Sequence, residues 1–177
     1  MDTTMERRRC LRWLLAGQML PLLTAQAQAQ AQAPGGDTQP PRIEGRLVDG
    51  QRVRLADFRG RVVLVFHWST RCAVCMDKMA EFRANLSGWT GRPFTVLGVN
   101  HDPRLQDMQA YERLVEQTVP VAQRFASIWA GSPGSTDTTG HAGVLPYTLL
   151  INAQGMVVER YAGRIPPQAW DRIAELL

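Results

Sequence analysis

Gly60-Arg61-Val62-Val63-Leu64-Val65-Phe66-His67-Trp68-Ser69-Thr70-Arg71-Cys72-Ala73-Val74-Cys75 is the stretch on which the reading of this chain turns. Residues 61–68 form an unbroken β-branched and aromatic run, the pattern of a strand buried on both faces. From Cys72 to Leu86 the apolar residues fall at Cys75, Met79, Phe82 and Leu86, which is helical spacing. Two cysteines three residues apart therefore sit where a buried strand hands over to a helix. At a helix start the free backbone N–H groups and the macrodipole favour a thiolate on the leading sulfur. The second cysteine, one turn inward, lies on the same side and can close a bridge. Such placement lowers a thiol pKa from about 8.5 into the range of about 3.5–7.5. Cys72 is thus the expected nucleophile and Cys75, more buried, the resolving partner.

Working outward, Asp49-Gly50 is a turn dipeptide between Gly45–Val48 and Gln51–Leu55, which predicts a hairpin. Phe94–Val99 reads as a second apolar strand, and Leu105–Val119 as a helix. Pro120–Trp129 reads as another short helix. Residues 131–143, almost all Gly, Ser, Thr, Pro and Asp, read as a loop. Tyr147–Ile151 and Met156–Tyr161 read as a hairpin around Asn152-Ala153-Gln154-Gly155. Pro166 or Pro167 opens a last helix with Trp170, Ile173, Ala174 and Leu177 on its apolar face. The order β-β-β-α-β-α-α-β-β-α predicts an α/β fold, a central mixed sheet flanked by helices on both faces.

The chain has 177 residues, a length that suits one domain. Its net charge is +4 and its pI near 9.4. Without the four arginines and two acids of residues 1–33, the remainder carries 16 basic and 14 acidic side chains. No basic cluster with interleaved aromatics survives, so nucleic acid is not an expected partner. Residues 1–33 read as a signal peptide: Arg7, Arg8 and Arg9, an apolar stretch from Leu11 to Ala25, then alanines in Ala-x-Ala spacing. That stretch is shorter than the ~20 residues of a spanning helix and is interrupted by Arg12 and Pro21. The expectation is an exported, periplasmic or extracytoplasmic protein, membrane-integral only if the signal stays uncleaved. Residues 34–42, with five prolines and glycines among them at Pro34, Gly35, Gly36, Pro40 and Pro41, read as a linker, and 43–177 as the folded domain.

With Cys10 in the signal, the mature chain keeps only Cys72 and Cys75. One close pair is no stapling framework, and a crosslink closing so short a loop removes little chain entropy. A tetrahedral zinc site usually takes four N, S or O ligands, and no second cysteine pair exists to complete one. A redox pair is the expected role, with no cofactor and no metal in the catalytic set.

At this point the chain resembles a family. Residues 60–75, with the lead-in Leu55-Ala56-Asp57-Phe58-Arg59-Gly60, resemble the active-site strand of the TlpA-like branch of the thioredoxin superfamily, which comprises exported thiol–disulfide oxidoreductases, mostly reductases. Val144-Leu145-Pro146-Tyr147-Thr148-Leu149-Leu150-Ile151-Asn152-Ala153-Gln154-Gly155 resembles that family's cis-proline strand and hairpin. The resemblance implies a cis Leu145–Pro146 bond beside the cysteines, with the Leu145 backbone placed to pair with an extended substrate by strand addition. Trp68, at the strand end beside Cys72, and Arg71, immediately before it, are the further expected substrate-side residues. The implied partners are protein thiols or disulfides in the cell envelope and an upstream thiol redox partner.

The departures are as informative. The family usually has tryptophan where this chain has Arg71, and proline within the motif where it has Ala73 and Val74. Lys78 and Ala80 stand where glutamate and proline are common. Arg71 and Lys78 are expected to place positive charge near the sulfurs and favour the thiolate. Phe66 stands where thioredoxins keep a buried carboxylate; Asp77 and Glu81 read as solvated helix-face charges. His67 points away from Trp68 by strand alternation and reads as structural. His141, in the polar loop before Pro146, is expected to approach the active site. Two other functions compete: a Sco-like copper-binding chaperone using Cys72, Cys75 and His141 as soft ligands, and a thiol peroxidase with Ser69 three residues before Cys72.

Overall fold

The computed structural model describes residues 39–177; the expected signal peptide and the start of the linker lie outside the described residues. The apolar run decides the architecture. Val62–Trp68 (β3) is buried at every position, so it has to be an inner strand. It lies parallel to Phe94–Asn100 (β4), with Val62 opposite Phe94 and Trp68 opposite Asn100, and antiparallel to Tyr147–Ile151 (β7). The five-stranded order is β5-β4-β3-β7-β8, with β5 at Ala126–Trp129 and β8 at Val157–Ala162. This is the expected central mixed sheet.

Strand alternation splits the core in two. Val62, Leu64, Phe66 and Trp68 point to one face and meet Cys75, Met79 and Phe82 of α1 (Ala73–Gly88) and Ala169 and Ile173 of α3 (Gln168–Leu176). Tyr111 of α2 (Leu105–Thr118) packs on this side too, its ring 5.0 Å from that of Trp68. Val63, Val65, Leu97, Val99, Leu149 and Ile151 point the other way. There they meet Ile43 of β1 (Ile43–Arg46), Val53 of β2 (Arg52–Arg54) and the 3-10 helix Leu55–Phe58. Fully burying one such Val, Leu or Phe side chain contributes about 1.5–3 kcal/mol.

Two segments differ from expectation. Residues 120–129 form a 3-10 turn at Val121–Gln123 followed by β5, not a helix. Ile128 and Trp129 favour a strand, and the open edge of β4 accepts it: Leu97 pairs with Ala126 and Asn100 with Trp129. Within the 131–143 loop, Thr136–Asp137 forms a short β6 on β1, making a second sheet of order β2-β1-β6. In α3 the buried alanine is Ala169, whereas Ala174 is exposed. No helix among the described residues is long and apolar enough to cross a membrane.

Candidate active site

The two cysteines sit where β3 ends and α1 begins. Cys72 is the N-cap of α1, with extended backbone, and its Sγ accepts a hydrogen bond from the N–H of Cys75 at 3.1 Å. A cysteine thus fills the place a Ser or Asp cap usually takes. The pair is closed as a disulfide, with Cα atoms 5.1 Å apart. Cys72 is partly exposed and Cys75 fully buried. The leading cysteine is partly open at the positive end of a helix dipole, and the other is sealed in the core.

The loop between strand and helix hangs on a carboxylate that the sequence reading missed. Asp102, 3% exposed, follows β4. Its Oδ1 accepts from Ser69 Oγ at 2.5 Å, from the Thr70 N–H at 2.9 Å and from Thr70 Oγ1 at 3.0 Å. Its Oδ2 accepts from the Asn100 side-chain amide at 3.0 Å. The Ser69 hydroxyl in turn accepts the Arg71 N–H at 3.1 Å. The residues just before Cys72 are therefore pinned to the end of the neighbouring strand. The parallel register of β3 and β4 was the available signal, since it brings residues 69–70 and 102 to the same sheet edge.

The Leu145–Pro146 bond is cis. Pro146 is buried, and Leu145 packs against the same cluster as Cys72 and Cys75. Val74, within the motif, and Val144, beside Leu145, are 38% and 58% exposed. Trp68 is completely buried, packed on Tyr111 beneath this surface rather than presented on it. Phe66 is buried too, edge-on to Phe82 at 4.5 Å, so the site lacks a carboxylate there.

The charges are more spent than the sequence suggested. Lys78 is buried and pairs with Glu81 at 2.5 Å rather than facing the sulfurs alone. Burial works to raise the Glu81 carboxyl, but hydrogen bonds from Lys78 and the Trp170 indole outweigh it, and its pKa is lowered. Asp77 pairs with Arg164, which holds its carboxyl below the usual range. Arg71 is exposed and shares Asp107 with Arg104, at 3.3 Å and 2.6 Å respectively.

His141 does not join the cysteines. Its ring stacks on His67 and His101, with centroids 5.0 Å and 4.5 Å away. His67 points to the face opposite Trp68, as alternation required, and is fully buried. Burial pushes its pKa down to about 3, with Asp137 pulling it back up and His101 and His141 adding to the depression. Burial and His141 also lower His101. The thiol-plus-histidine ligand set of a copper chaperone is therefore not assembled: the ligand-type cluster among the described residues is His67, His101 and His141, without either cysteine. The Ser69 hydroxyl, for its part, is committed to Asp102 rather than open to a peroxide.

A mixed sheet whose inner strand delivers a cysteine pair to a helix mouth, with a cis Leu145–Pro146 bond whose leucine packs on the same cluster, defines a thioredoxin-like α/β protein. The AhpC/TSA family profile matches residues 36–170, and the chain belongs to that family. Among solved structures, it is similar to a candidate thiol-disulfide oxidoreductase from Bacteroides vulgatus, at 22% identity and a TM-score of 0.61, covering 77% of this chain and 92% of that one. A DsbF homologue from Corynebacterium diphtheriae aligns at 20% identity and a TM-score of 0.59, over 82% of this chain and 96% of the other. A thiol:disulfide interchange protein of the thioredoxin family from Chlorobium tepidum aligns at 22% identity and a TM-score of 0.58, over 78% and 97%. At these identities the likeness establishes the fold.

Proposed function

We propose that this chain is an exported protein thiol–disulfide oxidoreductase of the TlpA-like branch, working as a reductase. The observation that carries the reading is the hydrogen bond from the Cys75 N–H to Cys72 Sγ at the mouth of α1. In the reduced protein the same N–H and the helix dipole stabilise a Cys72 thiolate. That thiolate attacks a substrate disulfide, forming a mixed disulfide and releasing one substrate thiolate, which takes a proton. Cys75 loses its proton and attacks Cys72 Sγ, expelling the second substrate thiolate; the substrate has gained two electrons and two protons, and the Cys72–Cys75 bond has formed. An upstream dithiol restores the pair by the reverse exchange.

Exposed Val74, within the cysteine motif, and exposed Val144, next to Leu145, support an extended protein segment as substrate, with the Leu145 backbone as its pairing edge. Arg71 flanks the same surface. The similarity to thiol:disulfide interchange proteins and the leader-like composition of residues 1–33 support action outside the cytoplasm.

The test is reduction of insulin by the dithiol form, together with equilibration against glutathione. A potential of about −250 mV or lower fits a reductase, and one near about −120 mV an oxidant. Cys75→Ser should accumulate a mixed disulfide with its substrate, and Cys72→Ser should form none. A Cys72→Ser protein that still reduced insulin would overturn the assignment.

A further inference from the structure

On the sheet face away from the cysteines, three histidines from distant segments converge. His67 comes from β3, His101 follows β4, and His141 lies in the loop before Pro146. One nitrogen or more of each lies within 4.8 Å of the others. His67 Nδ1 is 3.0 Å from His101 Nε2 and 3.6 Å from Asp137 Oδ2. A tetrahedral ion with bonds of about 2.0–2.1 Å to nitrogen and oxygen sets its ligand atoms about 3.3 Å apart. Two of the edges of such a tetrahedron are thus already close to that length. His141, carried on the loop before Pro146, brings its ligand nitrogen within 4.8 Å of the other two.

Two further observations distinguish this cluster from ordinary packing. His67 is fully buried with its Nδ1 turned to the cluster, and the buried Nε2 of His141 has no hydrogen-bond partner. Asp137 is pre-oriented: its Oδ1 accepts the N–H and hydroxyl of Thr139 at 2.9 Å and 2.6 Å, which leaves Oδ2 turned to His67. Ligating carboxylates are held by such outer hydrogen bonds in established metal sites.

We propose that His67, His101, His141 and Asp137 form a binding site for one borderline divalent cation, Zn(II) above all. The all-N/O donor set, with no thiolate, suits that class. Four protein ligands make a closed, structural site rather than a catalytic one. Its consequence is positional. The ion ties β3, the segment after β4 and the 137–141 stretch together, one residue from Trp68, one from Asp102 and five from Pro146. It therefore braces the loops on either side of the cysteine pair without touching a sulfur.

The test uses the untagged, oxidised full chain in a Cys10→Ser background, so that no free thiol remains. Zn(II) is titrated against a chromophoric chelator, and Co(II) is added separately as a spectroscopic probe. One equivalent should bind, and Co(II) should give tetrahedral visible bands without thiolate charge transfer. His101→Ala and His141→Ala should each weaken binding at least about 10- to 100-fold, with Asp137→Asn weakening it as well. Zn(II) should raise the thermal midpoint of the parent and not of His141→Ala. Because His67→Ala leaves a hole in the core, His101 and His141 carry the decision. A parent that binds no stoichiometric Zn(II), or binding that survives both of those substitutions, would overturn the site.

Discussion

Asp102 Oδ1 accepts the Ser69 hydroxyl at 2.5 Å, joining the end of one inner strand to the loop that presents Cys72 on the next. The same carboxylate takes the Thr70 N–H and the Asn100 amide. The position of the leading sulfur therefore rests on a buried polar network as well as on the helix it caps.

Asp102→Ala should be destabilising by about 3 kcal/mol, because it leaves the hydroxyl of Ser69, the N–H of Thr70 and the amide of Asn100 without their acceptor in a buried setting. Urea unfolding measures it. Asp102→Asn keeps one acceptor oxygen and should lose less. If Asp102→Ala unfolded at the parental urea midpoint, the network would carry no weight.

Glu112 of α2 gives a pH signature. Burial raises its pKa to about 7, opposed by Arg83 and reinforced by Glu116. A carboxyl raised in the folded state binds its proton more tightly there than in the unfolded chain. Its stabilising contribution is complete below about pH 4.5 and is lost as pH climbs through about 7. Glu112→Gln removes that loss. Relative to the parent, it should gain about 1–3 kcal/mol between pH 4.5 and pH 8. Unfolding curves at the two pH values, compared as a double difference, check this; an unchanged difference would contradict it.

Gly98 lies on β4, where a Cβ would overlap Ser127 Oγ and come within 2.9 Å of the Trp68 Nε1. Both neighbours are buried. Gly98→Ala should overpack the sheet and lower stability by about 1–3 kcal/mol. Thermal unfolding measures the loss, and the double variant Gly98→Ala with Ser127→Gly should recover part of it.

Arg71 precedes Cys72 but shares Asp107 with Arg104, so its field at the sulfur is muted. In the reduced protein, Arg71→Ala should raise the Cys72 thiol pKa by less than about one unit. Alkylation rate against pH reads this directly. A larger rise would mean that the cation, not the helix dipole, governs the thiolate.

The strand at 61–68, the helix after it and the closing hairpin were legible because each carries a periodic signal over many residues. The cysteine pair was legible because its spacing and its strand-to-helix context are local. β5 was misread as a helix because Ala126–Trp129 is only four residues long, too short for either period to register. Its identity depends on the open edge of β4 that receives it.

What the amino-acid order determined by itself was therefore the inner strand, the helix face that packs on it, and two sulfurs one turn apart at a helix mouth. These follow from bonding and packing within a single continuous segment. The tertiary structure alone decided that Asp102 would hold Ser69 and Thr70, that Lys78 would be spent on Glu81 with Trp170 closing over it, and that His141 would meet His67 and His101 instead of the cysteines. Apart from the Lys78–Glu81 pair, one helical turn apart, those partners lie 32 to 89 positions apart along the chain. Their meeting is set by sheet register and by which face each strand turns to the core.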